Sequence, residues 1–133
     1  MTSLTSFYTG LYGLSVTGVQ RTLTAPPKKL DDADLPTLWV DSATYGNTRE
    51  GTGADRDGFA LLTAQIIVCT EAIVQGTTIE NMTETLTIAD ALHDALENAD
   101  IAIGALNYEI TITVHEKAGI QYHALEVNVE AIG

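Results

Sequence analysis

The sequence predicts an α+β domain: a single, mostly antiparallel β-sheet of about four strands, packed with two α-helices and closed by a C-terminal β-hairpin. Three observations lead there. Apolar residues recur at helical spacing twice, over 4–20 and over 80–99. Near the end they alternate instead, as Tyr108, Ile110, Ile112 and Val114, then as Leu125, Val127, Val129 and Ala131. Between the two helical patterns Phe59 to Val74 is too uniformly apolar for a strand with one wet face.

In the first pattern Leu4, Phe7, Tyr8, Leu11, Leu14 and Val19 keep steps near three and four, with Ser3 as a fitting N-cap. Gly10, Gly13 and Gly18 weaken this helix by about 1 kcal/mol each relative to Ala and allow another backbone to come close. Pro26 and Pro27 end any helix there. Leu30 to Pro36 is an acidic connector, and Thr37 to Val40 reads as a short strand. Residues 41–58, rich in Gly, Ser, Thr, Asn and Asp, read as one long flexible loop. The apolar run then predicts a central strand over 60–71, covered on both sides.

Thr77 and Glu80 have the spacing of a capping box. Met82, Leu86, Ala89, Leu92, Leu96 and Ala99 follow at helical steps, which places the second helix at about 80–99. Residues 101–106 form a turn region around Gly104. The two alternating runs flank Glu116 to Gly119 and predict the hairpin.

A chain of 133 residues with 45% hydrophobic residues suits one domain, 1–133, with a core of useful size. Eighteen Asp and Glu against six Lys and Arg give a net charge of -12. That excess leaves little to build the basic face that phosphate binding or an anionic membrane surface requires. One cysteine, Cys69, excludes an internal disulfide and CxxC metal sites. No apolar run has the length of a membrane span, and the opening residues lack the basic residue of a signal peptide.

The charge is unevenly placed. Residues 1–30 hold Arg21, Lys28 and Lys29 and no acid, whereas 31–133 hold all eighteen acids and three bases, a local net of -15. A solvated helix carries ion-pairing side chains on its outer face, but the first helix would show only small neutral groups. Two readings stand: a poor, frayed N-terminal helix, or, since charge depletion marks interface cores, a helix lying between its own core and a partner subunit.

Catalytic constellations are sparse. His93 and Glu97 stand four apart on one helix face, as metal ligands can, beside Asp90 and Asp94. A solvated helix face is the simpler reading, because no HExxH or other complete ligand set accompanies them. His115 and His123 lie on adjacent hairpin strands, where one could meet Glu126, but no nucleophile or oxyanion feature attends them. Cys69, inside the apolar strand, reads as a buried and inert thiol. Gly51 to Gly58 matches neither a dinucleotide fingerprint nor a P-loop. Asn81-Met82-Thr83 fits a glycosylation sequon, which has meaning only on secretion. No catalytic residue, metal ligand or cofactor site is assigned.

Taken in order, the neutral first helix, Pro26-Pro27, Ala33-Asp34-Leu35-Pro36-Thr37-Leu38-Trp39-Val40, the helix Ala89-Asp90-Ala91-Leu92-His93-Asp94-Ala95-Leu96 and the closing hairpin resemble the tail terminator (tail completion) proteins of long-tailed bacteriophages. The resemblance implies a structural virion assembly protein and no enzyme. Such proteins form a ring, commonly hexameric, that caps the tail tube, stops its polymerisation and offers a docking face for the head–tail connector or neck protein. It implies a virion location, at tail or neck, after assembly in the host cytoplasm. DNA would cross the ring without specific binding, past an acidic wall that repels phosphates. On this reading Phe7, Leu11, Tyr12, Trp39, Tyr45, Arg49, Glu50, Arg56 and Asp57 are the expected interface residues, although Trp39 by itself reads most simply as a core or edge-packing residue. The alternatives are another phage neck or minor tail completion protein, a small acidic α+β domain binding a ligand or metal through His93, Glu97 or the hairpin histidines, and an acidic oligomeric interaction domain.

Overall fold

The computed structural model describes residues 3–48, 59–73, 78–99 and 106–132. In chain order these give α1 (Leu4–Tyr12), β1 (Arg21–Leu23), a 3₁₀ turn at Asp32–Asp34, β2 (Thr37–Thr48), β3 (Phe59–Ala72), α2 (Thr78–Glu97), β4 (Leu106–Lys117) and β5 (Ile120–Ile132). The five strands form one sheet in the order β1-β2-β3-β5-β4. Every pairing is antiparallel except β1 with β2, which is parallel. The α+β class and the mostly antiparallel sheet are as predicted, with one strand more than the four expected.

The first helix is shorter than its pattern. Ser3 caps it as expected, its hydroxyl accepting from the Ser6 N–H at 3.1 Å. Gly13 ends it, donating its N–H to the Thr9 carbonyl at 3.0 Å. The apolar spacing continued to Val19 because Leu14, Val16 and Val19 pack into the same core from non-helical backbone.

The predicted loop at 41–58 is corrected. Residues 41–48 are strand: β2 passes a register shift between Val40 and Ser42 and then pairs with β3 from Ser42–Gln65 to Thr48–Phe59. Its Ser, Thr, Gly and Asn content conceals this, because the partner strand holds it in place rather than its own propensity. Residues 49–58 lie outside the described residues, as does Thr77 of the capping box.

The hairpin is longer than predicted. β4 and β5 stay paired from Leu106–Ala131 to Lys117–Ile120, leaving a two-residue turn. Ala118 (φ 53°) and Gly119 (φ 82°) both take positive φ, the requirement of a type I′ turn.

Both helices cover one face of the sheet. Phe7 and Leu11 of α1 and Ile88, Leu92 and Leu96 of α2 pack on Leu38, Val40, Leu62, Ile66, Val68, Leu125 and Val127. On the opposite face Trp39, Ile67, Cys69, Tyr122 and Ala124 form a smaller cluster, covered by Leu23, Leu30 and Leu35. From Ile66 to Cys69 β3 thus contributes alternate residues to two cores, which is why its sequence is apolar there; the expected cover on both sides does not reach Thr63 and Gln65, which lie on the helix-free face beyond the smaller cluster.

The inward stripe of α2 also differs from the one read in the sequence. Thr85, Ile88, Leu92 and Leu96 are buried, whereas Met82 and Leu86 are 36% and 47% exposed. Leu86 precedes Leu92 by six residues, about 1.7 turns, so the two cannot share a face. Thr85 takes the inward position because its hydroxyl lies 2.8 Å from that of Thr70 on β3.

Candidate interaction surfaces

α1 lies over β2 and β3 and turns Phe7 and Leu11 to the core at 0% exposure. Ser3, Thr5, Ser6 and Thr9 face outward. The outer surface of the helix is therefore neutral and small. Phe7 and Leu11, expected at the interface, serve their own core instead and cannot meet a partner without unfolding the helix. Tyr12 is half-buried, its ring edge-on to Tyr8 at 5.5 Å, and Tyr8 donates its hydroxyl to the Thr24 carbonyl.

Trp39 is a core residue at 0% exposure, as its simpler sequence reading has it, and is not open to a partner as an anchor. Its indole N–H donates to Asp41 Oδ1 at 3.0 Å, and Lys117 Nζ stands 5.6 Å from the ring centroid. The bulge in β2 brings Asp41 within reach of its near neighbour. Tyr45 is 47% exposed and open to a partner. Arg49, Glu50, Arg56 and Asp57 lie outside the described residues.

The hairpin histidines do not meet. His115 is opposite Tyr122 and His123 opposite Val114, so alternation sends them to opposite faces. His115 packs edge-on against Trp39 at 5.6 Å, and burial, then the Lys117 charge, lowers its pKa. Cys69 is fully buried, and desolvation pushes its thiol up to about 12.

His93 and Glu97 do converge, through a residue that sequence reasoning missed. Tyr108, at the start of β4, donates its hydroxyl to Glu97 Oε1 at 2.6 Å and contacts His93 Nδ1. A hydroxyl has one hydrogen, so His93 Nδ1–H is the donor to Tyr108. Desolvation, then the Glu97 hydrogen bond and charge and the Asp94 charge, pushes the phenol up to about 12. This arrangement fastens the end of α2 to the sheet edge. Among the described residues no group of three or more His, Cys, Asp or Glu could hold a metal. No local pattern pointed to Tyr108, because its partners lie 15 and 11 residues away.

The half of the helix-free face left open beyond the Trp39 cluster is polar. It forms a trough of about 560 Å³ lined by Ser42, Thr63, Gln65, Asn107, Glu109, Asn128 and Glu130, among others. Glu126, nearby, accepts from Gln65 Nε2 at 2.7 Å. Three carboxylates thus share this face with uncharged amides and hydroxyls.

No known protein family matches the chain, and no curated protein matches it by sequence. By structure it is similar to a chain from the virion of a native gene transfer agent (GTA) particle. The TM-score is 0.52 at 18% identity, over 99% of this chain and 96% of that one. Similarity at that identity shows a shared fold over the full length. Among the described residues no helix is long and apolar enough to cross a membrane.

Proposed function

We propose that this chain is a structural virion assembly protein of the tail terminator type, which forms a ring on the tail tube, ends its polymerisation and presents a joining face to the head connector. The observation that carries the reading is full-length likeness of fold to a virion chain, in a sequence that independently resembles tail terminators. The surfaces support it. The neutral outer face of α1 and the exposed Tyr45 are suited to contact between ring neighbours. The polar trough, with Glu109, Glu126 and Glu130 on its face, is suited to a channel wall that phosphates pass without adhering. Function on this reading is by shape and surface, without turnover.

Electron microscopy of the purified protein mixed with tail tubes tests the proposal. The expected result is a ring at one end of each tube and no further growth there. Binding along tube walls, or at the head connector alone, would reject a terminator and favour a different neck role on the same fold. Glu130→Lys tests the channel wall: capping is retained and DNA passage impaired if this side chain faces the lumen.

A further inference from the structure

β4 is an outer strand of the sheet, twelve residues long, with β5 on one side only among the described residues. Long outer strands offer a row of backbone donors and acceptors to another chain, and proteins usually blunt them with charge, proline or a bulge. Here the middle of the strand is not blunted: Ile110 to Val114 holds no charge and no proline, and its register with β5 is unbroken. Two of the exposed large hydrophobic residues among the described residues lie on it, Ile112 at 40% and Val114 at 51%.

We infer that β4 is a self-complementary docking edge whose occupant is β4 of a second copy of this chain, paired antiparallel about a dyad at Thr113. The charge pattern selects this register. With Thr113 opposite its own copy, Glu109 faces Lys117 of the second copy, and the dyad repeats that ion pair. The same register sets Ile112 against Val114 of the second copy, so the exposed apolar side chains cover one another on the helix-bearing face. Glu109 and Lys117 share the other face, because all these positions keep the parity that alternation demands. A shift of one residue would break both matches, and a shift of two would remove the ion pair. The contact is isologous and closes at two chains. It uses neither the outer face of α1 nor Tyr45, and of the trough residues it takes Glu109 alone, so Glu130 is left to report on the channel wall separately.

Sedimentation and single-cysteine cross-linking test the inference. The wild type should sediment as a dimer at moderate concentration. Glu109→Lys alone and Lys117→Glu alone each alter two contacts and should weaken association by about tenfold or more, while the double exchange restores it. Under mild oxidation Thr113→Cys should cross-link to its copy, since directly opposed Cβ atoms lie within reach of a disulfide. Thr111→Cys, opposite His115 of the second copy, should not. Circular dichroism separates lost pairing from lost folding. A wild type that stays monomeric up to its solubility limit overturns the inference and leaves the ring to be judged on tube tips. Self-association that ignores the charge exchange, or that leaves Thr113→Cys uncross-linked, overturns it as well and moves the contact to another surface.

Discussion

Replacing Thr70 by Val should destabilise the fold through hydrogen bonding rather than packing. Thr70 lies where the register between β3 and β5 shifts, and its side chain is buried together with that of Thr85. Its hydroxyl donates to the His123 carbonyl at 3.1 Å and lies 2.8 Å from the Thr85 hydroxyl, linking α2, β3 and β5 at one atom. Val conserves the shape and removes both contacts, leaving a buried carbonyl and a buried hydroxyl each one partner short. A loss of about 1–3 kcal/mol follows. At about 2.1 cal/mol/K of unfolding entropy per residue, a chain of 133 residues loses roughly 3.5 °C of Tm per kcal/mol. The expected fall is therefore about 4–10 °C. Thr85→Val should cost a similar amount, and the double variant less than the sum by about 0.5 kcal/mol or more, because the hydroxyls then vanish together. Urea unfolding followed by circular dichroism, at one protein concentration and with an unchanged m-value, measures all three. Strict additivity, or a Thr70→Val cost within error of zero, would refute the assignment of this atom as the link.

The hairpin turn should respond in opposite directions at its two positions. Ala118→Asn should stabilise by about 0.5–1 kcal/mol, since Asn tolerates positive φ better; Gly119→Ala should destabilise by about 1 kcal/mol although nothing lies within 4 Å of the added methyl. Cys69 should resist alkylation at pH 8 in the native protein and react at once in denaturant, because burial holds its thiol near 12. Tyr108 gives a pH dependence of known sign. Its phenol holds its proton more tightly in the folded chain than in the unfolded one, where tyrosine titrates near 10. The stability this contributes is complete below that value and is lost as pH rises from about 10 to about 12. Tyr108→Phe should flatten the alkaline limb of the stability profile and remove from the ultraviolet spectrum a phenolate that forms near pH 12.

The parts of the fold that were legible in sequence are those whose pattern reports a single neighbour. Tyr108 and Ile110 alternate with polar residues because that side of β4 packs against the larger core, and Leu92 and Leu96 lie about one turn apart because one side of α2 faces the sheet. The outer half of β2 was not legible: Ala43 and Tyr45 alternate with Ser42 and Thr44 among turn-forming residues, and the strand exists because β3 lies beside it. β1 has three residues, held by parallel pairing with Thr37, Leu38 and Trp39, too few to show a period. The end of α1 at Gly13 was masked by apolar residues that continue into the core from irregular backbone. At the surface, His93 and Glu97 were legible as a pair because four residues make one turn, whereas Tyr108 joined them only through tertiary folding. Phe7 and Leu11 show the limit of reading contact surfaces from residue type, since an aromatic or aliphatic anchor looks the same whether it serves the chain's own interior or a neighbour's.

The strand that completes the sheet is synthesised after the others. β5 does not extend the edge; it is inserted between β3 and β4, touching one across a gap of some sixty residues and the other across a tight turn. Until residues 120–132 have left the ribosome, β3 lacks one of its two flanking strands and the apolar side chains of the larger core have no floor on that side. Nascent chains should therefore need shielding from one another late in translation, and a stop codon ahead of β5 would remove the middle of the protein rather than trim its margin.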